Sequence, residues 1–300
     1  MRVALLVNPT ARAGSGSGTA TRVADLLRAD GVEVRVVTPP DADATGAALD
    51  EFVAERPDGI LVAGGDGTVG IALARVRGTG IPLGIVATGT GNDLALALGL
   101  PSLDADAAAA AVTSGTVRAL DLARSIGPDG AERLYATVFA SGFDSRVNDR
   151  ANRMRWPRGR TRYTIAVLRE FLALRTTPYV LDLERPDGTT TRISEDLLIA
   201  AVGNGPSYGG GIPVCPDARM DDGLLDVTVV RPAGRIALLR LLRRVYAGTH
   251  TDAPQVSTYR VSAITLVSPG GTGYADGEPL GALPVRIDVL PAAVRVFAPV

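Results

Sequence analysis

The sequence predicts a doubly wound α/β domain at the N-terminus, followed by a β-rich, antiparallel, sandwich-like domain. Over about the first 120 residues, short apolar runs alternate with helical stretches, which is typical of parallel strands covered by helices on both faces. After about Asp121, strand-like runs follow one another with turn signals such as PDG and DDG between them. We therefore expect a Rossmann-like domain over residues 1–122 and a β-rich domain over residues 123–290.

The elements follow from the same patterns. In the first domain we expect strands at 3–7, 32–37, 59–63 and 81–86 and helices at 19–29 and 44–55. In the second we expect strands at 134–140, 179–183, 197–202, 225–230, 257–267 and 285–290 and helices at 162–174 and 234–247. The last strand, at about 291–300, could return to the first domain.

Composition excludes several classes of protein. All 31 basic residues are arginine, so no lysine is present to bind phosphate in a Walker A loop or to form a Schiff base. The net charge of −1 gives no global basic field that would attract nucleic acid. The single cysteine, Cys215, cannot form an internal disulfide. With no signal-peptide pattern and no apolar run long enough to span a bilayer, we expect a cytoplasmic protein.

His250 is the single histidine, and we expect it on the surface or in a loop, without a functional role. Residues 150–162 contain six arginines around Trp156. This density would suit anionic lipid headgroups, but a solvated helix face explains it equally well.

Glycine-rich loops follow three of the predicted parallel strands, at the edge where such sheets bind ligands. After the strand at 59–63, the sequence reads Gly64, Gly65, Asp66, Gly67 and Thr68 before a helix. Glycines let backbone N–H groups approach a polyphosphate, and the helix N-terminus adds partial positive charge. Asp66 would then hold Mg²⁺ or orient a reacting hydroxyl, although a tight turn with Asp66 as the N-cap remains an alternative.

The next strand leads into TGTGND, where Thr90 offers a hydroxyl, Asn92 a helix cap and Asp93 a second carboxylate. The first strand ends at Asn8-Pro9, with the flexible sequence AGSGSG soon after. Together the three loops predict a nucleotide-binding edge.

Two acidic turns lie further along the chain. In DGEP, a β-hairpin turn explains Asp276 and Gly277, whereas Glu278 could serve as the base for a substrate hydroxyl. In PDARMDDGL, from residue 216, a plain turn is the favoured interpretation and a site for a hard cation the alternative.

The ordered set NPTARAGSG, GGDGT, TGTGND, GNGPSYGGG, PDARMDDGLLDV and DGEP resembles the diacylglycerol kinase catalytic-domain family, including bacterial soluble lipid kinases related to sphingosine kinases. The resemblance implies ATP bound in the cleft between the domains and contacted by Asn8, Thr38, Gly64, Gly65, Asp66, Gly67, Thr68 and Thr90. It implies that Asp66 and Asp93 organise Mg²⁺, and that Glu278 is the base. It further implies a structural Mg²⁺ site formed by the Asp222 side chain and the carbonyls of Arg219 and Leu224.

This sequence departs from the family pattern twice. Val69-Gly70-Ile71 follows GGDGT where many relatives carry a hydrophobic residue and then Asn-Glu, and the loop usually similar to PLGTGND begins Ala87-Thr88. The expected function is transfer of the γ-phosphoryl of ATP to a lipid hydroxyl, with diacylglycerol the leading acceptor. A NAD kinase-like enzyme and an inactive nucleotide- or lipid-binding module remain alternatives. A lipid substrate implies peripheral contact with a membrane, and a homodimer is left open.

Overall fold

The computed structural model describes residues 1–11, 16–154, 156 and 160–299. These residues form two β-sheets. The larger has ten strands and runs through both halves of the chain, whereas the smaller has six strands, all from the C-terminal half.

The N-terminal half forms the parallel part of the larger sheet. Its strands are β1 (Arg2–Val7), β2 (Glu33–Val37), β3 (Gly59–Gly64) and β4 (Leu83–Ala87), in the order β2-β1-β3-β4. Its helices are α1 (Gly16–Ala29), α2 (Ala42–Glu55), α3 (Asp66–Val76), α4 (Asp93–Ala97) and α5 (Ala105–Thr113). Strands β3 and β4 are buried along their whole length, which explains their continuous apolar sequences.

Helices cover both faces of this parallel sheet. On one face, Phe52 of α2 and Leu73 of α3 pack in one core cluster with the strands. On the other, Leu27 of α1 and Val112 of α5 belong to a second cluster. The predicted doubly wound, Rossmann-like domain is confirmed, and the carboxyl ends of its strands share one edge.

The C-terminal half is mostly antiparallel. Its strands are β5 (Val117–Ile126), β6 (Glu132–Tyr135), β7 (Val138–Gly142), β8 (Thr177–Glu184), β9 (Thr190–Leu197), β10 (Ile199–Gly203), β11 (Leu225–Val230), β12 (Val256–Val261), β13 (Ala263–Val267), β14 (Thr272–Ala275), β15 (Glu278–Ala282) and β16 (Val285–Phe297). Its helices are α6 (Phe143–Arg153), α7 (Arg160–Ala173) and α8 (Arg235–Tyr246). The smaller sheet has the order β12-β11-β10-β7-β14-β15.

The six-stranded sheet packs face to face against the antiparallel part of the larger sheet. Phe139, Val227 and Val202 from the former share a core with Tyr179 and Ile264 from the latter. This arrangement confirms the predicted sandwich-like fold of the β-rich half.

Strand β16 connects the two halves. It pairs antiparallel with β5 along most of its length and with β13 near its start, and near its end Val296 pairs in parallel with Leu83 of β4. The segments at 285–290 and about 291–300 therefore form one strand, bent by a register shift between Leu290 and Val294. Strand β5 runs across residue 122, so the sheet is continuous where the domain boundary is predicted.

Three predicted strands span a break in the structure. The run at 197–202 begins with the last residue of β9 and continues as β10 in the other sheet, and the other two are divided nearer their middle. The run at 134–140 is β6 and β7, and the run at 257–267 is β12 and β13; in both cases the two pieces belong to different sheets. The chain steps between sheets at short breaks inside apolar sequence, as at Ser262, whose N–H binds the carbonyl of Glu184 at 2.8 Å. Apolar periodicity does not reveal such a step, because both sides of the break face the same core.

His250 corrects a second prediction. It is fully buried, with Nε2 3.0 Å from the carbonyl oxygen of Val214, and burial lowers its pKa. The expectation of a surface position is wrong, although His250 does lie in the loop after α8. Within the described part of the chain, no helix combines the length and the apolar character needed to cross a bilayer.

Candidate active site

Two glycine-rich loops, residues 64–68 and 87–93, meet at the carboxyl edge of β3 and β4; we call them the rim. Gly65 precedes α3 and contacts Gly89 so closely that a Cβ atom on Gly65 would lie 3.1 Å from Gly89 Cα. The carbonyl of Gly64 accepts the N–H groups of Thr88 and Gly89, at 3.1 and 3.2 Å. The glycines are required here because side chains would separate the loops.

Asp66 is the first residue of α3, and its carboxylate joins the two loops. It accepts the backbone N–H groups of Asn92 at 2.8 Å and of Asp93 at 2.7 Å. Gly91 leaves room for it, since a Cβ atom on Gly91 would overlap Asp66 Oδ2 and lie 3.6 Å from Asp93 Oδ2. Both aspartates therefore direct an oxygen toward the same small volume. Gly65 is the N-cap of α3, so the alternative in which Asp66 is the cap is wrong.

Asn92 occupies the N-cap position of α4 but does not cap it with its side chain. It adopts a left-handed conformation, φ 62°, and its side chain bonds both backbone groups of Gly89 and the hydroxyl of Ser102. The prediction that the Asn92 side chain caps the helix is therefore wrong, and this side chain instead stabilises the loop around Gly89. The N–H groups at the start of α4 turn instead to Asp66.

Asp93 connects the rim to the C-terminal half. It is buried, and its Oδ1 accepts the N–H groups of Gly210 at 2.8 Å and Gly211 at 2.9 Å. Burial raises the pKa of Asp93, and the charge of Asp66 raises it further, while the two N–H groups oppose the rise. A divalent cation placed between two such carboxylates would relieve their repulsion, so the pair fits Mg²⁺ chemically.

Asn8 and Thr68 form a second contact within the same edge. Asn8, which follows β1, donates from Nδ2 to Thr68 Oγ1 at 2.8 Å, and its Oδ1 accepts from the N–H and hydroxyl of Thr10. Thr38 and Thr90 are exposed at the ends of β2 and β4. Part of the predicted AGSGSG loop, residues 13–15, lies outside the described residues.

The β14–β15 hairpin brings residues of the C-terminal half to the rim. At its turn, Asp276 accepts the N–H of Ala136 at 2.8 Å and the N–H of Thr137 at 3.0 Å, and it also bonds the Thr137 hydroxyl. Burial raises the pKa of Asp276 and the charge of Asp66 adds to the rise, so the two carboxylates interact electrostatically. They line one small cavity together with Thr137 and Leu94.

Glu278 lies directly beyond this turn. It is exposed, and its Oε1 lies 3.5 Å from the position that a Cβ atom on Gly67 would take. The structure therefore brings the predicted base to the loop that carries Asp66, from a point more than 200 residues away in sequence.

The acidic turn at residues 219–224 is held by other partners. Asp222 bonds Arg260 through Oδ2 and the N–H of Leu224 through Oδ1, at 3.1 Å for the latter. Arg219 lies 3.5 Å from Asp221. Among the residues that the structure describes, no group of three or more His, Cys, Asp or Glu side chains could hold a metal ion. The Mg²⁺ site at Arg219, Asp222 and Leu224 stays a prediction, and the cation now facing Asp222 is a guanidinium.

Two buried polar residues at the junction of the halves are missed by the sequence analysis. Asp121, in β5, accepts the N–H groups of Gly223 and Ala292, both at 2.7 Å. Asn204 donates to the carbonyls of Asp121 and Ala136, at 3.0 and 2.7 Å. A carboxylate inside the apolar run LDLA was the available signal for Asp121, because a buried acid needs donors from elsewhere.

Known proteins match the chain over both halves. Residues 2–125 match the diacylglycerol kinase catalytic domain, and residues 137–298 match the YegS C-terminal NAD kinase beta sandwich-like domain. A Mycobacterium tuberculosis (strain CDC 1551) protein named diacylglycerol kinase is 43% identical over 298 residues, which cover 99% of this chain and 95% of that one. A Stenotrophomonas maltophilia (strain K279a) protein named "Probable lipid kinase YegS-like" is 32% identical, over 91% of this chain and 89% of that one.

The fold has a solved counterpart. The crystal structure of a diacylglycerol kinase from Bacillus anthracis strain Sterne superposes with a TM-score of 0.77 at 23% identity, covering 99% of this chain and 97% of that one. The matches define the class, a kinase with a nucleotide-binding α/β half and a β-sandwich half. The chain belongs to the diacylglycerol kinase catalytic-domain family and is an ATP-dependent kinase of that family, which confirms the resemblance seen in its motifs.

Proposed function

We propose that this kinase transfers the γ-phosphoryl group of ATP to the hydroxyl of a membrane lipid, most specifically diacylglycerol, which yields phosphatidic acid. The observation that carries the proposal is the approach of Glu278 to Gly67, beside the paired carboxylates Asp66 and Asp93. Glu278, from one half of the chain, thus faces the glycine-rich loop at residues 64–68 from the other half, which is of the kind that binds phosphate. This is the arrangement that direct phosphoryl transfer to a hydroxyl needs.

The rim supplies the nucleotide site in this proposal. Backbone N–H groups of residues 64–68, at the start of α3, would hold the phosphates together with the partial positive charge of the helix. The polar side chains that line the same edge, Asn8, Thr38, Thr68 and Thr90, would contact the rest of ATP. Asp66 and Asp93 would hold Mg²⁺, which when bound offsets the charge of the phosphates.

Glu278 carries the proton chemistry. Its carboxylate would accept the proton of the lipid hydroxyl while that oxygen bonds to the γ-phosphorus and the bond from phosphorus to the ADP oxygen breaks. Because Glu278 is exposed, its side chain is accessible to a hydroxyl that enters from solvent or from a lipid surface. The pairing of Asp66 with backbone N–H groups leaves Glu278 as the carboxylate best suited to act as a base.

The choice of acceptor is supported by similarity. The relative that is 43% identical over nearly the whole chain is named for diacylglycerol, and more distant relatives are named as lipid kinases. A second Mg²⁺ at Arg219, Asp222 and Leu224 remains part of the proposal, and it would require Arg260 to move away from Asp222.

A panel of acceptors tests the proposal. Purified protein is incubated with Mg²⁺, γ-labelled ATP and, separately, diacylglycerol, monoacylglycerol, ceramide, phosphatidylglycerol and NAD, and labelled products are separated by chromatography. We expect label in phosphatidic acid that is absent with the Glu278→Gln variant. Label in NAD phosphate alone would identify a NAD kinase, and ATP binding without any labelled product would identify an inactive binding module.

A further inference from the structure

The outer faces of α7 and α8 form an apolar surface that is exposed to solvent. In α8, Ile236 is 69% exposed and Tyr246 is 65% exposed, with Leu239 and Leu242 exposed between them. In α7, Leu168 and Leu172 are exposed in the same way. We call these six side chains the α7–α8 surface. Large apolar side chains exposed together on neighbouring helices are typical of an interaction site.

The two helices contact each other through their inner sides. Their inner sides share a small core in which Phe171 and Leu174 pack with Leu238 and Leu241. Arg235, at the start of α8, donates to the carbonyl oxygen of Leu172 at 3.2 Å. The inner side therefore explains why the helices fold here, but it does not explain the apolar residues on the outer side.

Arginines lie among the exposed apolar residues. Arg240 and Arg243 of α8 and Arg169 of α7 are exposed, and within the described residues none forms an ion pair. The sequence of α8, RIALLRLLRRVY, contains no acidic residue, and the one acid of the second half of α7, Glu170, is buried and paired with Arg150. The α7–α8 surface is thus apolar and cationic at once.

We propose that the α7–α8 surface docks the kinase on the anionic face of a lipid bilayer. Apolar side chains interleaved with arginines match the boundary between acyl chains and phosphate headgroups. A second copy of this chain fits less well, because a twofold contact through α8 would set Arg240 and Arg243 against arginines with no acid to compensate. The inference rests on the proposed function only in that a lipid acceptor gives the surface its use.

The docking surface is connected to the active site. The loop after α8 packs on residues 213–216, where a Cβ atom on Gly248 would lie 3.6 Å from Pro213 and where His250 bonds the carbonyl of Val214. Gly211, which binds Asp93, is three residues before Val214, a span of at most about 11 Å. A bilayer held at α8 would therefore lie close to the segment whose N–H groups bind Asp93. This surface is distinct from residues 150–162, of which 155 and 157–159 lie outside the described residues and Arg150 is engaged by Glu170.

Vesicle binding by the full chain tests the inference. Vesicles of phosphatidylglycerol and phosphatidylcholine in equal amounts are compared with phosphatidylcholine alone, by cosedimentation. Arginine near an anionic membrane contributes roughly fivefold per residue, so Arg240→Gln with Arg243→Gln should weaken binding to the anionic vesicles about 25-fold. Ile236→Asp with Leu239→Asp should abolish binding to both kinds of vesicle. The control Arg185→Gln, in the exposed β8–β9 turn, should bind like the unmodified protein.

Activity separates this inference from the proposed function. Both double variants should lose phosphorylation of diacylglycerol presented in vesicles and keep it with a short-chain diacylglycerol dispersed as monomers. Anionic-vesicle binding that is unchanged in Arg240→Gln with Arg243→Gln overturns the inference, as does a dimer that Ile236→Asp with Leu239→Asp converts to a monomer while vesicle binding is retained. If no lipid is phosphorylated yet vesicle binding changes as expected, the proposed function fails and the docking surface stands.

Discussion

The rim and the β14–β15 hairpin face each other across the site, but they hold their carboxylates differently. In the rim, Asp66 and Asp93 each accept two backbone N–H groups from other loops, so each is part of the fold as well as of the site. In the hairpin, Asp276 is held in the same way, whereas the Glu278 side chain is exposed and has no hydrogen-bond partner in the part of the chain that the structure describes. A substitution at Glu278 should therefore change catalysis alone, whereas a substitution at Asp66 or Asp93 in the rim should change both catalysis and stability.

Replacement of Glu278 by glutamine gives the largest and cleanest effect. An amide cannot accept the hydroxyl proton, so turnover should fall about 10²- to 10⁴-fold. The thermal unfolding midpoint should not change, because within the described residues no hydrogen bond ties the carboxylate down. Steady-state kinetics with ATP and diacylglycerol, with unfolding measured alongside, check this. Turnover within a factor of ten of the unmodified protein would show that Glu278 is not the base.

The substitution Asp66→Ala should lower both turnover and stability. Turnover should fall by roughly 10²-fold or more through loss of a charge organiser. The free energy of unfolding should also fall, by about 1–3 kcal/mol, because the N–H groups of Asn92 and Asp93 lose their acceptor. Denaturant titration and kinetics measure the two effects, with Asp30→Ala on the exposed surface as the control. An Asp66→Ala protein of normal stability would show that Asp66, like Glu278, is not needed for the stability of the fold.

The substitution Gly91→Ala tests whether the position of Asp66 matters, because it leaves the Asp66 carboxylate in place chemically and displaces it sterically. The added methyl group would overlap Asp66 Oδ2, and a displacement of about 1 Å at a site of this kind costs up to roughly 10²-fold in rate. Gly70→Ala in α3 is the matched control, since its methyl group would meet nothing within 4 Å and alanine favours a helix. Equal activity of the two variants would mean that the position of Asp66 is not critical.

The last effect concerns stability alone and leaves turnover unchanged: it arises at Asp144, at the start of α6, whose Oδ2 is buried without a partner within the described residues. Burial raises its pKa to about 6, opposed by the Tyr208 hydroxyl and the charge of Arg146. Ionised Asp144 therefore costs stability above pH 6, and the cost disappears as pH falls toward 4, where the unfolded chain also takes up the proton.

Asp144→Asn removes this titration. Relative to the unmodified protein, the stability of the variant should rise by roughly 2–3 kcal/mol between pH 4 and pH 7, the size expected from the shift in pKa. Denaturant unfolding at several pH values measures the difference. A difference that is constant across this range would show that Asp144 titrates normally.

The sequence predicted well what depends on local pattern. The buried strands β1, β3 and β4 and the loop around Asp66 were evident, because parallel strands buried on both faces are apolar throughout and glycines mark the turns after them. The motif order also identified the family, and it named Glu278, which no local pattern would connect with the rim.

What depends on long-range contacts could not be predicted. The strands at 134–140 and 257–267 each change sheets midway, a step determined by packing rather than by composition. The N–H groups of Gly210 and Gly211 reach Asp93 from the other half of the chain, and the burial of His250 follows from the loop at Val214. Such partners are set by tertiary geometry, so their residue types alone carry little signal.

The course of β16 has a consequence for the order of assembly. The edge of β4 that receives Val296 stays unpaired until a segment some 200 residues further along the chain has been synthesised. Until then the nucleotide half has an unpaired apolar strand edge, of the kind that invites association with other chains. A polypeptide cut short before Val285 would thus keep every glycine-rich loop yet never complete the sheet that supports them.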